Sequence, residues 1–226
     1  MRILAIDTAL DACSAALFDT EVDRPLGLQS REIGRGHAEL LLPLIDEVMK
    51  SANAQFDSVD RFAVTVGPGS FTGLRVGLSA ARGFALATKK TAVGVSTLAA
   101  FTAPLITQDQ AVPVVAAIDA KHGNLYLQMV GAGGRMLVAP RALNLREAIR
   151  AVALGPVRIV GNGAAILAAH WPPKAPPPLL VDPQPAPDIL WVARIGAAAD
   201  PKRAPPRPLY LRLPDAKPGA PQVQRQ

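Results

Sequence analysis

Apolar residues recur along this chain in two periods, and the switches between them mark its elements. Arg2–Asp7 and Cys13–Phe18 are short apolar runs separated by a turn, the pattern of a buried β-hairpin, and Leu26–Ile33 extends the same meander. The period then changes. Leu40, Leu41, Leu44, Ile45 and Val48 fall at helical spacing within His37–Lys50, entered through Gly34-Arg35-Gly36, and the apolar face they make is unusually wide. Arg61–Val66 predicts a strand, Gly67-Pro68-Gly69-Ser70 a turn, Gly73–Thr88 a helix, Thr91–Val95 a strand and Ser96–Thr107 a further helix.

The order then restarts. Val112–Asp119 reads as a buried strand, Ala120–Asn124 as a turn and Leu125–Val130 as the return strand of a second hairpin. Asn144–Leu154 is amphipathic, Val157–Val160 is a strand, and Gly161-Asn162-Gly163 turns into a short helix, Ala164–His170. Strand, glycine turn and helix at Val66-Gly67 thus have an echo at Val160-Gly161, which predicts two α/β halves of related topology meeting near residues 105–111. Trp171–Pro187 is proline-dominated and predicts an extended, irregular connection, with Asp188 capping a last helix to Ala199. Pro214–Gln226 lacks the hydrophobicity to fold alone.

Composition sharpens this picture in three places. Fifteen of the 22 prolines lie in residues 171–226, so the packed part of the chain is concentrated ahead of them. The net charge of +6 divides into +4 for residues 171–226 and +2 for the first 170. No cluster of Lys and Arg interleaved with aromatics occurs in that first part, which argues against a surface that tracks a nucleic-acid strand and leaves the basic tail either solvated or in contact with RNA. Cys13 is the one cysteine, which excludes an internal disulfide and a cysteine-rich metal cluster and predicts a reducing compartment, the cytoplasm. Asp7 comes too early for a secretory segment, and no run approaches the ~18 apolar residues that span a bilayer.

Four places carry candidate chemistry. Asp7-Thr8-Ala9-Leu10-Asp11 sets an aspartate at the end of a strand, where actin-like nucleotide-binding domains hold a metal-phosphate, yet Ala9 and Leu10 stand where such turns use glycine to bring backbone N–H groups to phosphate. Gly67–Gly77 resembles a phosphate loop because glycines precede a helix N-terminus, but the Lys-Ser/Thr ending of a Walker motif is missing. Gly73 and Gly77 lie one turn apart inside the helix, each costing about 1 kcal/mol relative to alanine, which predicts a bare face for close approach of another helix or of a ligand. His37 has Leu41 where a metal-binding helix needs a second histidine, and His122 and His170 are isolated, so no metal site is predicted. Ser70 has no Asp or His in a recognisable relation to it and reads as a helix cap, not a nucleophile.

Taken together, Ile3-Leu4-Ala5-Ile6-Asp7-Thr8, Cys13-Ser14-Ala15-Ala16-Leu17, His37–Pro43, Gly67–Gly77, Asp119–Tyr126 and Pro208-Leu209-Tyr210-Leu211-Arg212 resemble, in order and spacing, the bacterial TsaB (YeaZ) family. Lys121 stands where that family commonly has arginine, which keeps the charge without the planar fork. The resemblance implies an actin-like two-lobe fold of the sugar-kinase and chaperone ATPase superfamily, each lobe a mixed sheet with an N-terminal β-hairpin and flanking helices. The lobes would be residues 1–107 and 108–212, with a flexible tail at 213–226.

The resemblance also implies a non-catalytic partner of TsaD, the subunit that transfers threonylcarbamoyl to N6 of the adenosine next to the tRNA anticodon, with the ATPase TsaE joining the two. ATP and a divalent metal would then sit on TsaD and TsaE and none on this chain, tRNA would be reached through the complex, and a homodimer would form without TsaD. Asp7, Thr8, Gly67, Gly69 and Ser70 would be a vestigial nucleotide site. The partner interface would use His37, Leu40, Leu41, Leu44 and Ile45 on the first helix, and Phe71, Thr72, Gly73, Arg75, Val76, Gly77 and Ala80 on the second. That assignment predicts that Gly77→Trp or Leu44→Arg abolishes association while the monomer stays folded. The competing reading is a stand-alone actin-like or sugar-kinase-like ATPase using Asp7 and the Gly67–Gly73 loop. The description of such chains as glycoprotease-like peptidases finds no catalytic residues here.

Overall fold

In the computed structural model the chain forms two five-stranded sheets, and the structure describes residues 1–212. The tail expected at 213–226 lies outside the described residues. The first sheet contains β1 (Arg2–Asp7), β2 (Ala12–Asp19), β3 (Arg24–Glu32), β4 (Arg61–Gly67) and β5 (Thr91–Ser96), in the order β3-β2-β1-β4-β5. β1 pairs antiparallel with β2 and parallel with β4. The side-chain period of two then explains why β1 is apolar throughout: Leu4 and Ile6 enter the core on one face, Ile3 and Ala5 the core on the other. The first face is covered by α1 (His37–Ser51) and α2 (Phe71–Thr88).

The second sheet repeats the arrangement. It contains β6 (Val114–Asp119), β7 (Asn124–Val130), β8 (Met136–Asn144), β9 (Arg158–Val160) and β10 (Leu180–Asp182), in the order β10-β9-β6-β7-β8, which, read from the β8 edge, is the first order with β6 in the place of β1. The antiparallel meander and the parallel outer pair correspond as well. Two α/β lobes of one topology, each opening on a hairpin, make this the actin-like fold. α4 (Leu145–Val152) and α5 (Ala164–Ala169) cover one face of the second sheet.

α3 (Thr97–Gln108) ends the first lobe and lies against β6, so it bridges the two sheets. Arg158 on β9 fastens its C-terminus, donating to the carbonyls of Leu105 at 3.2 Å and Val112 at 2.7 Å. The last helix, α6 (Ile189–Ala198), corrects the expected boundary of the second lobe at residue 212. Its Ile189, Val192 and Ala193 pack with Ile3, Ala5 and Val93 of the first sheet, and Arg61 caps its C-terminus by donating to the carbonyls of Gly196, Ala197 and Ala199 at 2.9–3.0 Å. The chain after α6 stays on the first lobe, where Gly94 N–H donates to Ala204 and Leu209 N–H to Val66. Among the described residues no helix is long and apolar enough to cross a membrane.

Candidate functional site

β1 delivers Asp7 to the centre of the molecule, fully buried. Its Oδ1 accepts from the Thr65 hydroxyl at 2.6 Å and from Ala9 N–H at 3.1 Å, while Oδ2 has no hydrogen-bond partner among the described residues. Burial pushes the carboxyl up to about 6, against the opposing pull of those two hydrogen bonds and of nearby His37. The carboxylate faces protein, not a cleft.

The turn after Asp7 packs against the loop and first turns of α2. Ser70 N–H donates to the Ala9 carbonyl at 2.7 Å, Gly73 N–H to the Ser70 hydroxyl at 3.2 Å, and the Thr8 hydroxyl to the Gly73 carbonyl at 2.7 Å. A Cβ on Gly69 would stand 2.3 Å from the Ala9 oxygen, on Gly73 2.1 Å from the Thr8 oxygen, and on Gly77 2.5 Å from Thr8 Oγ1. The bare face of α2 therefore receives the chain's own β1–β2 turn. This corrects the assignment of Gly73 and Gly77 to a partner interface, and a Gly77→Trp chain would lose its fold before it lost a partner. Ala9 and Leu10 continue into an apolar cluster between the lobes with Leu74, Leu98, Phe101, Ile118 and Val160. A metal-bound triphosphate does not fit here: the loop amides of Ser70 and Gly73 are already engaged, and the turn adds methyl and isobutyl groups where an anion needs donors.

What remains of the cleft holds about 260 Å³ and is lined in part by Asp11, Ser70, Asp119, Lys121, Tyr126 and Asn162. Lys121 Nζ pairs with Asp119 Oδ2 at 2.9 Å, which neutralises the carboxylate at the end of β6, the counterpart of Asp7. Among the described residues no three His, Cys, Asp or Glu side chains converge as a metal site requires.

α1 divides differently from its expected role. Leu41, Leu44 and Ile45 are at most 1% exposed within the first-lobe core, and Leu40 packs partly against it. A helix stripe at i, i+3, i+4 and i+7 is the part that faces its own sheet, so Leu44 and Ile45 are not offered to a partner, Leu41 sits in the core at the floor of the groove described next, and Leu44→Arg would unfold the monomer. His37 is likewise buried, its Nε2 donating to the Leu10 carbonyl at 2.9 Å, which ties the start of α1 to the turn.

Between α1 and α2 an apolar groove of about 510 Å³ stays open. Phe71, Thr72, Arg75, Val76 and Ala80 line it, together with Leu41 at its floor and Leu42 at 57% exposed. Leu42 escaped the sequence reading although a signal existed: Leu40-Leu41-Leu42 is one leucine more than a stripe needs, and Leu42 lies about 100° around the helix from Leu41. The Arg75 guanidinium lies 3.8 Å from the centre of the Phe71 ring, and Tyr210 packs on the same ring at 5.4 Å.

The model of one protein family, described as TsaD: tRNA N6-adenosine threonylcarbamoyltransferase, matches residues 18–151, more than half of the chain and parts of both lobes. The chain belongs to that family. Within the family it is similar to the members named TsaB or YeaZ. A "tRNA threonylcarbamoyladenosine biosynthesis protein TsaB" of Escherichia coli is 39% identical over 127 residues, 56% of this chain and 53% of that protein. The crystal structure of an uncharacterized protein with similarity to peptidase YeaZ from Pseudomonas aeruginosa superposes with a TM-score of 0.77 at 27% identity, over 93% of this chain and 99% of that one. The structure of YeaZ from Pseudomonas aeruginosa does so with 0.75 at 25% identity, over 93% and 100%. The chain spans about half the length of the curated relatives it matches.

Proposed function

We propose that this chain is a non-catalytic partner and activator subunit in the transfer of threonylcarbamoyl to N6 of the adenosine next to the tRNA anticodon. It acts by binding a catalytic paralogue, TsaD, with the ATPase TsaE as the third component. ATP and its divalent metal belong to those partners, tRNA is met through the complex, the same face closes a homodimer when TsaD is absent, and the complex works in the cytoplasm. One observation carries this reading: the chain's own Thr8–Leu10 turn packs into the inter-lobe junction and leaves a cleft of about 260 Å³, while the groove between α1 and α2 is open and apolar. A family named for a transferase thus contains a chain whose inter-lobe cleft is narrowed by apolar side chains and which exposes an apolar groove.

Reconstitution tests the reading. With TsaD, TsaE, a threonylcarbamoyl-adenylate donor, ATP and tRNA, modified adenosine is expected only when this chain is added. Leu42→Arg, at a position exposed enough to accept the charge, is expected to lower the yield more than tenfold with the monomer still folded. Micromolar binding and hydrolysis of magnesium-ATP by the isolated chain, abolished by Asp7→Ala, would establish the stand-alone ATPase instead.

A further inference from the structure

The rim of the groove is built by a segment far away in sequence. After α6 the chain runs back along the first lobe, fixed by Gly94 N–H to Ala204 at 2.9 Å, by Arg82 to the Pro206 carbonyl and by Leu209 N–H to Val66 at 2.7 Å. Leu209 then packs against the first-lobe core and Leu211 against the inter-lobe cluster. Tyr210, between two inward side chains, is turned outward onto the Phe71 ring, whose contact with Arg75 has been described above. Among the described residues neither a carboxylate nor a hydrogen-bond acceptor meets the Arg75 guanidinium. An exposed arginine held over an aromatic ring has lost much of its rotamer freedom, and its donors find no acceptor among the described residues.

We propose that Tyr210 and Phe71 hold Arg75 as a fixed cationic anchor on the rim. The occupant of the groove is then a helical protein face that sets a carboxylate against Arg75 and lays apolar side chains along Leu42 and Val76. The inference rests on the docking reading above, and under it the occupant is the TsaD subunit. Charge complementarity supplies the choice, because a guanidinium that meets no carboxylate among the described residues, beside an apolar trough, disfavours a partner without an acidic group. Tyr210 is a positioning residue, acting through Phe71.

The test is calorimetric binding of TsaD to the full chain and to variants at two salt concentrations, with the melting temperature of each chain alone as a control. Arg75→Ala is expected to weaken binding roughly ten- to hundredfold and to flatten its salt dependence. Tyr210→Ala is expected to weaken it about three- to tenfold at an unchanged melting temperature, and Tyr210→Phe, which keeps the ring, to restore it. The double variant is expected to bind no worse than Arg75→Ala, since Tyr210 acts only through that cation. Unchanged affinity for Arg75→Ala and Tyr210→Ala, with Leu42→Arg still defective, overturns this inference and leaves the docking reading standing. Full binding by Leu42→Arg as well overturns both. Self-association through Arg75, with TsaD bound equally by wild type and Arg75→Ala, overturns it in favour of a second copy of this chain.

Discussion

Asp7 is a buried carboxylate with one oxygen unpartnered among the described residues, and that burial has a thermodynamic signature. Its folded value of about 6 lies above the ordinary 3.8, so between those values the folded chain binds more protons than the unfolded one. Stability from this group is therefore complete below pH ~4 and declines as pH rises through 6, by ~3 kcal/mol at the limit set by the two values. Asp7→Asn keeps an oxygen for Thr65 and Ala9 and removes the buried charge, at the cost of one unpaired amide. The variant is expected to be about 1–2 kcal/mol more stable than wild type at pH 7.5, with the advantage gone near pH 4. Urea unfolding of both chains at several pH values measures this, and an Asn variant less stable at pH 7.5 would mean that the carboxylate has a partner. Cys13 on β2 shares the environment: burial, aided by the charge of Asp7, pushes its thiol up to about 11, which keeps it protonated and inert.

At the scale of elements, α2 carries a comparison within one helix. Gly73, Gly77 and Gly83 all cost helix propensity, but only the first two face the Thr8 turn, whereas a Cβ on Gly83 meets nothing within 4 Å. Gly83→Ala is expected to stabilise by roughly 0.5–1 kcal/mol and Gly73→Ala to destabilise by about 2–3 kcal/mol, read as shifts in thermal midpoint. The sequence shows that this helix has a bare face. It does not show what fills it, because the β1–β2 turn and a partner helix ask for the same small residues. The same ambiguity misassigned Leu44 and Ile45, since core and interface stripes share one period. Hairpins, helices and their order were legible because the apolar period switches between them, in places at a glycine turn such as Gly34-Arg35-Gly36 or Gly67-Pro68-Gly69. β8 was not, since Pro140 and a half-exposed surface break its alternation, and three-residue β10 is hidden among the prolines of 171–187. Tyr210 was legible only as part of a resemblance, its contact with Phe71 bridging about 140 positions.

For the molecule as a whole, the narrowed cleft changes what two lobes can do. Nucleotide-driven closure of an actin-like fold needs lobes that hinge around a wet cleft. Here Leu10, Leu98, Phe101, Ile118 and Val160 join the sheets as one apolar core, and Arg158 ties the end of α3 to the second lobe. A shared core couples the stabilities of the parts it joins, so the lobes are expected to unfold in one transition. The two tryptophans separate the possibilities: Trp171 packs on the second lobe, and Trp191 lies on α6, against the first. Fluorescence of the Trp191→Phe and Trp171→Phe chains then follows one lobe each, and their urea midpoints are expected to coincide. Phe101, 1% exposed at the junction, is the residue whose removal should reach both reporters. Phe101→Ala is expected to cost about 3–5 kcal/mol and to shift both midpoints together. If it moved only one of them, the lobes would be independent bodies, and the cleft would be free to open for a ligand after all.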